Sequence, residues 1–157
     1  MTQEELDQIL DLHSKWLNEE PGGVRADLSE ETLAGLDIRD RNLTNSVCFL
    51  TNFSQCLLEN TNFTQAELRN AVFDDTDVIS CTFIGANLDE SSFLEAVVQN
   101  CDLTQASLIR SNFTGAYTLN LSASKTELKD AVIPPIELEG FIFDEVEVVD
   151  PENLELQ

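Results

Sequence analysis

Asp74-Asp75-Thr76-Asp77 is the tight carboxylate cluster of this chain, and closely spaced acids could hold a hard cation such as calcium through oxygen ligands. No glycine-containing binding loop follows it, so the segment reads as a solvated turn and no metal is expected. His13 is the single histidine. Acid–base or nucleophilic chemistry would need a nucleophile positioned beside it. It falls instead among Leu6, Ile9, Leu10, Trp16 and Leu17 at helical spacing, which predicts a structural place in or beside an apolar face. The four cysteines, Cys48, Cys56, Cys81 and Cys101, show no CxxC or Cys/His spacing suited to zinc. No paired acids, Ser/His/Asp set or phosphate-cradling glycine loop appears. The residues therefore predict a protein that is not an enzyme and carries no cofactor.

What must position all of these side chains is a repeat. From Leu28 every fifth residue is apolar: Leu33, Ile38, Leu43, Cys48, Phe53, Leu58 and onward in phase to Phe113. Thr118 and Ala123 depart, and the run resumes with Leu128, Ile133, Leu138 and Phe143. Small residues precede most of these by two positions, among them Ala26, Thr51, Ala66, Ala86 and Ser111. A period of five fits neither a helix nor a strand, so it signals a repeat architecture. Sorted four at a time, the apolar positions fall into files, and one of them reads Leu33, Phe53, Phe73, Phe93, Phe113, Ile133. Like side chains every twenty residues predict stacked four-sided coils about 4.8 Å apart, with one large and one small side chain pointing inward from each side. The cysteines follow this pattern: Cys48 in a large position, the other three in small ones. Cys81 and Cys101 lie one coil apart, near enough for a disulfide to be conceivable; buried thiols are the expectation.

The runs Ala86-Asn87-Leu88-Asp89-Glu90, Thr61-Asn62-Phe63-Thr64-Gln65 and Ser111-Asn112-Phe113-Thr114-Gly115 resemble the A(D/N)LXX unit of the pentapeptide repeat proteins. The resemblance implies an all-β, right-handed quadrilateral β-helix, here of about six coils. It also implies a choice of functions, since the best-understood members of that family bind bacterial gyrase. They include quinolone-protection and antibiotic self-immunity factors, and some resemble DNA in shape and charge.

The expected organisation is a capping α-helix and linker over 1–25, the β-helix over 26–148 and an acidic tail over 149–157. Thr2 and Glu5 make a capping box, and Pro21-Gly22-Gly23 stops the helix. Laid across the first coil, such a helix would cover a bare core end and an open sheet edge. Glu31, Leu36 and Arg41, at positions that are small elsewhere, suit contact with a cap. Large Ile136, Phe141 and Val146 would close the far end. The size mismatch at Thr118 and Ala123 predicts a bulge, a register change or an underpacked corner between Tyr117 and Lys125. Near the cap, Phe49 could take the inward place of Cys48 by a local slip.

The formal net charge of −22, from 30 acidic and 8 basic residues, excludes simple electrostatic binding to nucleic acid or anionic lipid. It leaves room for the reverse, occupation of a basic groove built for DNA. With no export signal or membrane span, the chain is expected in the cytoplasm. Two functions stand open: a protein-interaction scaffold, whose partner includes the possibility of a second copy in a homodimer, or an acidic DNA mimic directed at a type II topoisomerase. The positive signal is a set of outward apolar residues: Leu57, Ile79, Val97, Tyr117 and Leu119 on one flank, with Phe141 and Ile142 at the end. An apolar strip with a polar rim is what a protein contact looks like.

Overall fold

The computed structural model describes residues 1–133 together with the strand at Phe141–Ile142, whose side chains are not described. The expected closure by Ile136, Phe141 and Val146 and the tail 149–157 thus lie outside the described residues. Helix α1 spans Gln3–Leu17 and is followed by a right-handed β-helix. Residues pair in parallel at a constant offset of twenty, from Asp27↔Val47 to Asn112↔Val132. On the third side of four successive coils the chain stays extended long enough to form strands: β1 Leu57–Glu59, β2 Asp77–Ile79, β3 Val97–Gln99 and β4 Tyr117–Leu119. These make one parallel sheet in the order β1-β2-β3-β4, while β5 (Leu121–Ser122) pairs with β6 (Phe141–Ile142) separately. Among the described residues, no helix is long and apolar enough to cross a membrane.

Two local rules turn the chain at each corner. Two residues after each central apolar residue the backbone is left-handed, with φ near +55° to +77°, at every fifth position from Glu30 to Asp130. In many of these corners the carbonyl of the central residue accepts from the N–H three residues on, as in Leu33 to Leu36 at 2.9 Å and Leu68 to Ala71 at 3.0 Å. That is the type II turn, which demands positive φ at its third residue. Only three of these positions are glycine, and none is Val, Ile or Thr, the β-branched types that tolerate this conformation least. The second rule explains the Asn or Asp before the central residue. The Oδ1 of Asn52, Asn62, Asn87, Asp102 and Asn112 accepts from the backbone N–H two residues on, at 2.8–3.1 Å. Such Asx turns bend the chain locally before any coil stacks on it.

The core is a pair of aromatic ladders. Phe53, Phe73, Phe93 and Phe113 stack with ring centroids 4.9, 4.8 and 4.5 Å apart and planes within 8°. Phe63 and Phe83 stack at 5.2 Å and meet the first ladder edge to face, as at Phe63–Phe73 with 86° between planes. Ring spacing thus matches coil spacing, so the aromatic gain comes with no adjustment of the backbone. The small inward positions bond between coils: Thr51, Thr61 and Thr76 hydroxyls donate to Leu28, Ile38 and Phe53 carbonyls at 2.8–3.0 Å.

Two expectations fail here. Thr118 pairs in register with Val98, and Leu103 N–H donates to Ser122 O at 2.7 Å, so there is no bulge or register change. Leu121 is the reason: it fills the small position two residues before Ala123, and both are fully enclosed. Bulk has moved sideways along the chain while the ladder of backbone bonds continues. Nor does the chain slip near the cap: Cys48 is fully buried and Phe49 is 38% exposed.

Helix α1 closes the lower end. Its capping box is formed, with Glu5 N–H on Thr2 Oγ1 at 3.3 Å and Thr2 N–H on Glu5 Oε2 at 2.7 Å. Leu6 and Leu10 are buried against the first coil. Both backbone groups of Asp37 are taken by one side chain: Gln3 Oε1 accepts from Asp37 N at 2.9 Å and Gln3 Nε2 donates to Asp37 O at 3.0 Å. The amide stands in for a missing coil at an otherwise open edge. Arg41 reaches down to Asp7 at 2.7 Å and to Asp11 at 3.4 Å, in keeping with its unusual size at a small position.

His13 is enclosed beneath this cap, stacked on Trp16 at 5.5 Å, with Nδ1 accepting from Ala26 N–H at 3.0 Å. Burial holds its pKa below the usual value of about 6.5, and Arg25 lowers it further. Protonation would put a second N–H against that of Ala26. A folded-state pKa below the unfolded one means that this group's contribution is whole above about pH 6.5 and is lost as pH falls below it. Melts between pH 7.5 and 5 should therefore show wild type losing stability relative to His13→Gln, a comparison that cancels the shared relief of acid–acid repulsion. A constant difference across that range would place His13 in water.

Candidate protein-interaction face

The register sets the outward side chains of β1–β4 in two columns. The first runs Leu57, Asp77, Val97, Tyr117 and the second Glu59, Ile79, Gln99, Leu119. The five flank residues marked out by the sequence thus share one sheet face. They do not form an unbroken stripe. Apolar and polar residues alternate like the squares of a chessboard until the last rung, where Tyr117 and Leu119 stand together. Leu57, Tyr117 and Leu119 are 47%, 55% and 39% exposed, and Ile79 and Val97 are partly covered by their neighbours. The strand Phe141–Ile142 pairs with Leu121–Ser122 and so belongs to a different sheet from this flank. The side chains of Phe141 and Ile142, also expected at an interface, lie outside the described residues.

The lower border of the face is charged. Asp37 and Arg39 form a two-pronged pair, Nε to Oδ1 at 2.9 Å and Nη2 to Oδ2 at 2.6 Å. The Arg39 guanidinium holds the Asp37 carboxyl at about 2. Asn60 donates to Asp40 at 3.1 Å. On the first face, Glu90 lies between Arg69, at 3.1 Å, and Arg110; both arginines keep its carboxyl below the ordinary range, Arg110 the more strongly. Exposed pairs of this kind contribute little to stability.

The other residues with chemical promise are absorbed by the fold. Thr76 is buried and splits the acids around it, and Asp74 accepts from Ser92 Oγ at 2.5 Å and Leu94 N–H at 3.0 Å. Asp74 here supplies, from the coil below, the acceptor that Asn supplies elsewhere. No group of three or more His, Cys, Asp or Glu among the described residues could hold a metal ion. The cysteines are buried free thiols. Burial pushes Cys48 up to about 12 and Cys56 up to about 11, and its bond with Cys81, together with burial, raises Cys101. With so little thiolate, Cys48, Cys56 and Cys101 are poor nucleophiles, whereas the bond from Cys101 lowers the pKa of Cys81.

A family model for pentapeptide repeats matches residues 46–83 and 81–117, with 8 copies. No curated protein matches the chain. Solved structures with a similar course include HetL, a pentapeptide repeat protein involved in heterocyst differentiation regulation from the cyanobacterium Nostoc sp. strain PCC 7120. It is 18% identical over 76% of this chain and 73% of its own, with a TM-score of 0.47. Rfr23 from the cyanobacterium Cyanothece 51142 is 17% identical over 85% of this chain and 93% of its own, with a TM-score of 0.45. QnrB1, a plasmid-mediated fluoroquinolone resistance protein, is 20% identical over 76% and 78%, with a TM-score of 0.31.

Proposed function

We propose that this chain, which belongs to the pentapeptide repeat family, serves as a rigid, non-enzymatic scaffold in the cytoplasm that binds another protein through the sheet face of β1–β4. The observation that carries this reading is the gathering of Leu57, Ile79, Val97, Tyr117 and Leu119 onto one face by the twenty-residue register. A solenoid whose every coil bonds to the next presents such a face already ordered, so a partner bears little of the cost of arranging it. The net charge of −22 favours the second reading, mimicry of DNA toward a type II topoisomerase. That role asks for a continuous acidic face. The fourth face instead carries Asn42, Asn62, Thr82 and Asp102 in column, and the first sets Arg69 and Arg110 against Glu90. The scaffold reading is therefore preferred.

Capture from the native cell extract tests it. A partner held by the wild-type chain should fall at least tenfold with Leu57→Glu/Tyr117→Glu and persist with Thr64→Glu on the fourth face. A partner retained by the double variant would overturn the assignment of this face. Should light scattering reveal a twofold dimer that only the double variant disperses, the partner is a second copy.

A further inference from the structure

The polar members of the third face lie where an approaching partner must cover them. Asp77 stands between Leu57 and Val97 in its column and beside Ile79 on its own strand. Glu59 stands beside Leu57 and next to Ile79 in the second column. Anything that buries the apolar residues also takes these two carboxylates from water, which is strongly unfavourable unless each meets a cation or donors. The face cannot supply that cation itself. Its single basic residue, Arg39, is already held at both prongs by Asp37 and is shared electrostatically with Asp40 and Glu59, one cation among three acids. A second copy docked by the same face would bring acids to acids between two chains of net charge −22.

We propose that this face receives a basic amphipathic helix of a different protein, laid along the stacking direction, with apolar side chains over Leu57, Ile79, Val97 and Tyr117 and with Lys or Arg seated on Asp77 and Glu59. The assignment rests on the third face being the interaction face. Leu57 to Tyr117 spans three coil spacings, about 14 Å. About ten helical residues at 1.5 Å each cover that length. The upper rung, Tyr117 with Leu119, offers the helix an apolar end, and the lower end, where Glu59 stands one coil above Asp37 and Asp40, an acidic one.

Fluorescence anisotropy with the full chain in 150 mM salt tests this. The probes are a labelled 15-residue peptide with a Leu stripe flanked by Lys on a helix, a scramble of the same composition, and a version with Glu in place of Lys. The helical Lys peptide should bind at least tenfold tighter than its scramble, and the Glu version should not bind. Asp77→Lys should weaken binding tenfold or more, as should Leu57→Ser with Tyr117→Ser. Glu67→Lys, the same charge change on the first face, should cost less than threefold. Circular dichroism confirms that each of these surface variants is folded. Equal binding of the scramble, or equal effects of Asp77→Lys and Glu67→Lys, would mean diffuse attraction to net charge and would overturn the proposal. A partner captured from extract that depends on Leu57 and Tyr117 yet ignores Asp77→Lys would overturn the basic helix while leaving the interaction face in place.

Discussion

Phe73→Ala should destabilise the chain by about 3–5 kcal/mol, the range for deleting a buried aromatic ring. The site lies at the crossing of the two ladders. Its ring stacks on Phe53 at 4.9 Å and Phe93 at 4.8 Å and meets the edges of Phe63 at 6.2 Å and Phe83 at 6.1 Å. Collapse into the cavity is hindered, because each neighbouring coil is fixed by in-register backbone bonds such as Phe73 N–H to Ser92 O at 2.7 Å. Asn62→Ala is the comparison. Asn62 loses one bond, to Thr64 N–H at 2.9 Å, in a half-exposed turn. That change should cost about 0.5–1.5 kcal/mol. Urea melts giving equal losses for the two would contradict the ladder as the main source of cohesion.

Gly23→Ala should have the second largest effect, and it should act on the cap. A Cβ at Gly23 would lie 2.3 Å from Trp16 N and 2.6 Å from both Lys15 C and Trp16 Cα. All three are backbone atoms, so no rotamer change relieves the clash and the turn after α1 must open. Opening it pulls on Val24 N–H to Leu12 O and on Ala26 N–H to His13. The cost should reach about 3 kcal/mol, the upper part of the range for overpacking. Gly22 offers the contrast one residue earlier: its φ is +79° but nothing lies within 4 Å of the added carbon. Gly22→Ala should cost only the left-handed conformation, about 1–2 kcal/mol. Trp16 is the single tryptophan, so its fluorescence reports cap opening directly alongside the melt. A larger loss at Gly22 than at Gly23 would refute the close approach.

The inward pattern was legible because each coil repeats the same physical problem. Leu28, Phe53, Leu58 and their successors had to be buried, and no helix or strand period accounts for residues five apart. The capping box was legible because Thr2 and Glu5 interact within one turn. What stayed hidden depends on contacts between distant segments. Gln3 looks like any polar residue at a helix start until Asp37 is placed beneath it. The alternation of Leu57 with Asp77 follows only once the exact offset of twenty sets one above the other. Thr118 and Ala123 misled because size was weighed at single positions, whereas Leu121 and Ala123 share one volume. Asp74 read as one acid of a solvated turn, and only the stacking shows that it completes a turn in the coil above.

The left-handed corner every five residues makes the chain an angular ruler as well as a rod. Each pentapeptide advances the backbone by a quarter revolution, and only multiples of twenty return it to the same heading. Five residues inserted between Glu59 and Thr76 would keep every corner and every inward position, while re-pairing the side chains stacked across the insertion and parting Phe73 from either Phe53 or Phe93. They would also swing Ile79, Val97, Tyr117 and Leu119 a quarter turn away from Leu57. The fold would survive such a change while the face it presents was split, so in this architecture length alone can separate keeping a structure from keeping a surface.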